Sequence, residues 1–146
     1  MDLIQILMGF LGSLGFSTLF HIKGRRLIIA SLGGLISWTV FLLLEGVLPS
    51  ESVRYFLASA AVTVYAEVFA RVIKTPTTTF LVPSLILLIP GGALYYTMNY
   101  AVRGEMALFA SKGMSTIVFA GLMAAGVLLI STSMRMWTVW KMEHKK

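Results

Sequence analysis

Apolar positions in this chain fall in unbroken runs and not in stripes. Four runs, roughly 3–20, 27–44, 53–73 and 114–134, are each long enough to cross a bilayer as a helix, which takes about 18 residues or more. A fifth run, roughly 80–100, has the same length. It carries Pro83 near its start and Pro90, Gly91 and Gly92 near its middle. The pattern predicts an all-α polytopic integral membrane bundle of five transmembrane helices in one domain over 1–146, with the fourth helix broken at Pro90-Gly91-Gly92. The connectors are polar: His21 to Arg26 (HIKGRR), Glu45 to Ser52 with Pro49, and Ala101 to Gly113. The last of these is expected as a surface loop with at most a short interfacial helix.

Small residues recur four apart within the runs: Gly9 with Ser13, Ala30 with Gly34, and Gly33 with Ser37. In lipid such pairs let two helices approach closely, because packing and not water drives their association. Static packing explains them more economically than a moving interface. The third run, with Ala58, Ser59, Thr63, Ala66 and Ala70, is expected to be surrounded by other helices. In the fifth span Ala120, Gly121, Ala124, Ala125 and Gly126 are expected as the close-packing side.

The broken run holds the candidate chemistry. A proline inside a helix lacks the N–H that would serve the carbonyl four residues back. Pro90 is therefore expected to leave the Ile86 carbonyl open, and Pro83 to sit harmlessly in a first turn. Gly91 and Gly92 offer no side chains to restore the helix. Backbone N–H groups around Gly92 and Ala93 begin a second half-helix, whose positive end favours an anion. An open carbonyl and open amides suit the two ends of a zwitterion. The candidate substrate path is thus Pro83, Ser84, Ile86, Pro90, Gly91, Gly92 and Ala93. A structural kink filled by a neighbouring helix is the other reading, since membrane helices tolerate proline.

Composition agrees with the membrane reading. Of 146 residues 58% are hydrophobic and 12% charged, where soluble domains run near 25% charged. The net charge is +6, but the basic residues gather at the ends of the apolar runs, so no nucleic-acid partner is expected. Lys23, Arg25, Arg26, Arg71, Lys74, Arg135, Lys141, Lys145 and Lys146 fall on one side of a five-span chain. Arg54, Arg103 and Lys112 fall on the other. The Lys/Arg-rich side is cytoplasmic, which puts the N-terminus outside and the C-terminus inside. A re-entrant hairpin at Phe80–Tyr100 would export the basic C-terminal tail, so a full but broken span is preferred. The first run is read as a retained span. Trp137, Trp140 and His144 join the terminal lysines as an aromatic and basic anchor.

Glu67 is the one acid well inside an apolar run, with Arg71 four residues on. That order suits a helical ion pair. It also makes Glu67 the candidate coupling acid. There are no cysteines and two histidines, and no HExxH, Walker loop or Ser/His/Asp grouping. No enzyme, cofactor or metal site is expected.

At residues 81–97, LVPSLILLIPGGALYYT, the chain resembles the small, all-membrane half of the threonine/serine exporter family. Pro83 and Pro90 seven apart, then Gly91-Gly92 and Tyr96, carry the likeness. Ser84 departs from the family pattern, which has glycine there. The resemblance implies a multi-pass subunit of the bacterial inner membrane that exports small amino acids such as threonine and serine. It also implies a larger membrane subunit as partner, besides the small-molecule substrate and the lipid bilayer, with homo-oligomers left open. A subunit of a dicarboxylate (succinate-like) exporter and a non-transporting scaffold are the alternatives.

Overall fold

In a medium without water each backbone N–H and C=O must find a partner inside the chain, and a helix provides one for every residue in its interior. The apolar runs accordingly form helices. The computed structural model describes residues 3–143, with no strand among them. In order they are α1 (Leu3–Leu19), α2 (Arg25–Glu45), α3 (Glu51–Ile73), α4 (Thr78–Leu85), a 3₁₀ turn (Ile86–Leu88), α5 (Gly91–Val102) and α6 (Met106–Glu143). α2, α3 and α6 are long and apolar enough to cross a membrane. The α4–α5 pair makes a fourth candidate if taken as one span, and α1 is a shorter apolar helix. His144, Lys145 and Lys146 of the expected anchor lie outside the described residues.

α2 and α3 pack side by side at the centre. α1 covers the outer flank of α2, and α6 lies along α3. α4 and the 3₁₀ turn touch α1, α2 and α3, whereas among the described residues α5 packs only against α6. Phe80 of α4 is fully buried among Ile29, Ala30, Ala66 and Ala70. Leu88 of the turn is buried with Phe41 and Ala58. These two side chains seat the first half of the bent pair between α2 and α3.

The small residues do what their spacing predicts. Gly9, Ser13 and Ser17 of α1 are buried, as are Ala30, Gly33, Gly34 and Ser37 of α2 and Ala58, Ser59, Thr63, Ala66 and Ala70 of α3. A methyl group on Gly33 would overlap the Ser84 side chain, and one on Gly34 would overlap Ser13. Backbones this close gain dispersion contacts over many atoms, the main attraction available between helices in lipid.

Two expectations for α6 are corrected. The helix begins at Met106, so the connector after α5 is a tight turn and not a loop reaching Gly113. Of the side expected to pack, Ala120, Gly121 and Ala124 are exposed, whereas Ala125 is half-buried and Gly126 is buried as expected. The contact line runs through Gly113 and Thr116 against Thr97, Phe119 against Tyr55, and Gly126 against Ser59 and the Phe56 carbonyl. That line steps by three, three and seven, which keeps it on one side of a helix. Small residues alone did not mark it because α6 serves two neighbours, α5 first and α3 later.

At the end near the α2–α3 turn, Arg54 meets Glu45 at 3.4 Å and lies 5.0 Å over the Phe41 ring. At the opposite end α1 and α3 close with left-handed residues, His21 (φ 57°) and Lys74 (φ 53°). The Thr75 N–H then donates back to the Ala70 carbonyl at 2.9 Å, and Pro76 prevents continuation.

Candidate functional site at the bend between α4 and α5

Thr78–Leu88 and Gly91–Val102 meet at an angle of 52°. Pro83 lies well inside α4 and not in its first turn, because the helix already starts at Thr78. It therefore withholds an N–H from the Thr79 carbonyl. After Leu85 the chain tightens into the 3₁₀ turn. This gives the Ile86 carbonyl a donor, the Ile89 N–H at 3.4 Å. The expectation that Ile86 would be left open is thus corrected: three-residue closure replaces the four-residue bond that Pro90 cannot make.

At Ile89 the backbone turns extended (φ −56°, ψ 126°), and Pro90 follows at φ −73°, ψ 61°. The Gly91 N–H folds back to the Ile89 carbonyl at 2.6 Å, and Leu94 donates to the Pro90 carbonyl at 3.0 Å. Gly92 and Ala93 stand in the first turn of α5, where amides have no intrahelical acceptor. Pro90 itself is buried, while Gly91 and Gly92 are exposed. A Cβ on either glycine would meet nothing within 4 Å. The bend thus presents bare backbone to open space.

Ser84 does not face that space. It is fully buried, donates to the Phe80 carbonyl at 2.7 Å, and reaches the Ala30 carbonyl at 3.4 Å. Two residues not singled out from the sequence as site residues brace this segment. Ser13 of α1 donates to the carbonyls of Ala30 (3.1 Å) and Pro83 (3.3 Å). Ser37 of α2 donates to those of Gly34 (2.9 Å) and Ser84 (3.1 Å). Pro83 and Ser84 belong to the last turn of α4, whose carbonyls lack intrahelical donors. Neighbouring hydroxyls satisfy them, which is how a helix can end inside lipid. The signal was present in the small-residue pairs, but only packing shows which carbonyls the serines reach.

Glu67 is remote from the bend. It lies beside Thr77, the residue before α4, so roughly 20 Å of helix rise separate it from Pro90. Arg71 Nη2 donates to Glu67 Oε2 at 3.3 Å and to the Met134 carbonyl of α6 at 2.9 Å. Both side chains line a cavity of about 580 Å³ between α3, α6 and the start of α4, with Arg135 on its wall. A second cavity of about 550 Å³ lies on the other side of α4, lined by His21, Lys23, Arg26, Thr78, Thr79 and Pro83. The basic connectors assigned to one side by chain order are therefore gathered at one end of the bundle.

Long apolar helices, close small-residue packing and a bend whose backbone groups are met by neighbouring hydroxyls define a polytopic membrane protein. The family model described as "Threonine/Serine exporter, ThrE" matches residues 5–133. The chain belongs to that exporter family, which makes it a transporter-type protein. No curated protein and no solved structure matches it.

Proposed function

We propose that this chain is the small membrane subunit of an exporter for threonine- and serine-like amino acids, working with a larger subunit. The observation that carries the reading is the 52° bend with Gly91 and Gly92 bare and exposed. A bend of this size is not a reversal of direction. The α4–α5 pair advances about 29 Å along the axis of its first half, close to the ~30 Å of a hydrocarbon core. One broken span fits that length better than a re-entrant hairpin does. α1 has 17 residues, the lower end of the roughly 17–25 that spanning helices use. These lengths and the distribution of basic residues support our reading of five spans with the N-terminus outside and the C-terminus inside a bacterial inner membrane.

The partner is supported by what surrounds the bend. Among the described residues α5 packs only on α6, and no second wall faces the glycine side of the path. Another membrane chain supplies that wall in our reading. At the path the amides of Gly92 and Ala93 receive the carboxylate of the solute. Glu67 is the proton-coupling acid.

The native chain has no cysteine, which makes thiol probes clean. In vesicles holding both subunits, Gly91→Cys and Gly92→Cys should react with a water-soluble thiol reagent, and L-threonine should slow that reaction. Ser84→Cys, fully buried, should stay unreactive. Counterflow of L-threonine, L-serine and succinate in the same vesicles identifies the solute. Equal labelling at positions 84 and 92, with no protection, would remove the path from the bend.

A further inference from the structure

The cavity between α3, α6 and the start of α4 has a composition the bend does not explain. Its wall carries two guanidinium groups, Arg71 and Arg135, against one carboxylate, Glu67. Glu67 pairs with Arg71 at 3.3 Å. Arg71 is also held by the Met134 carbonyl, so its position is fixed from two sides. Arg135 has no ion-pair partner among the described residues. Thr77, Ser131 and Thr132 line the same cavity, and their hydroxyls make no hydrogen bond among the described residues. Their donors are unused, as is one full positive charge. The volume, about 580 Å³, lies within the ~300–1,000 Å³ of small-molecule sites.

We propose that this cavity is a loading site for a small zwitterionic amino acid, resting on the exporter reading above. Arg135 takes the carboxylate in its planar two-donor fork, with Thr77, Ser131 and Thr132 as further donors. Glu67 receives the ammonium group. The cavity opens at the end of the bundle where the basic connectors gather, the side from which an exporter collects its solute. It also adjoins Thr77, immediately before the bent pair, so a loaded solute sits at the head of α4.

The test titrates the full chain, purified in neutral detergent, with three probes by isothermal calorimetry. L-Serine carries both charged groups, acetate only the carboxylate, and ethanolamine only the ammonium. Serine should bind most tightly, acetate more weakly, and ethanolamine not measurably. Arg135→Gln should weaken serine at least tenfold, the loss expected for one charge-assisted pair. Arg135→Lys should fall between, keeping charge but not the fork. Arg135 is exposed, and unchanged helicity by circular dichroism verifies that each variant folds. Serine binding indifferent to Arg135→Gln overturns the site, even if vesicles export serine normally. Arg135-dependent binding without flux keeps the site and sinks the exporter reading. If phosphatidylglycerol, and not serine, gives the Arg135-dependent signal, the cavity holds a lipid headgroup and the proposal is overturned.

Discussion

Replacing glycine by alanine at two positions should change stability in opposite directions. The Gly33 Cβ would lie 3.1 Å from Ser84 Cβ and 3.2 Å from Tyr65 Cε1, and would overlap Ser84 Oγ. The hydroxyl can rotate away, but only by giving up its bond to the Phe80 carbonyl, worth about 1 kcal/mol. The two carbon contacts cannot be relieved without moving α4 off α2, an overpacking that costs about 1–3 kcal/mol. Alanine returns about 1 kcal/mol of helix propensity, so Gly33→Ala should destabilise by about 1–3 kcal/mol. At Gly121 a Cβ meets nothing within 4 Å. There the propensity term stands alone, and Gly121→Ala should stabilise by up to about 1 kcal/mol. Reversible unfolding in mixed micelles, with both variants against the native chain, measures the difference of about 1–4 kcal/mol. Gly126→Ala, where Cβ would overlap Ser59 Oγ, should side with Gly33. Two shifts of the same sign would refute the claim that contact at α2 and not glycine flexibility sets the requirement.

The double variant Ser13→Ala/Ser37→Ala keeps shape and removes the donors to the Pro83 and Ser84 carbonyls. Each hydroxyl has one proton shared between two acceptors, so the loss should be about 1 kcal/mol in total, near the ~0.6 kcal/mol measured for interhelical bonds in membranes. No change in the same unfolding assay would mean that these bonds are incidental. Gly92→Leu should insert and fold, because a Cβ there meets open space, yet lower solute flux at least tenfold by filling the bend. Undiminished counterflow would reduce the bend to a structural kink. Glu67→Gln preserves an acceptor for Arg71 and removes an ion pair in which the Arg71 side chain is 36% exposed and that of Glu67 14%. The complex should assemble while export driven by a pH gradient weakens, and normal gradient-driven export dismisses the coupling role.

The sequence alone determined the helical class and the family resemblance at residues 81–97, and it marked the segment that bends by 52°. These rest on local facts: apolar runs without charge must become helices in lipid, and a proline cannot give the N–H that continues one, although the interruption falls at Ile89–Pro90 and the expected breakers Gly91 and Gly92 already begin α5. The buried partners Gly9/Ser13, Ala30/Gly34 and Gly33/Ser37 were legible for the same reason, since their four-residue spacing is a property of one helix. What the break does to its neighbours was not legible. Whether the Ile86 carbonyl stays open depends on a 3₁₀ turn, and the turn depends on Leu88 being buried against Phe41 and Ala58 from two other helices. Ser84 looked like a path residue by adjacency, but α2 lies so close at Gly33 that its hydroxyl is sealed inside. The packing line of α6 was misread because a helix touching α5 and α3 in succession needs two partial faces. The cavity around Arg71 and Arg135 joins residues 64 apart on different helices. No spacing along the chain encodes that meeting, and the tertiary structure decides it.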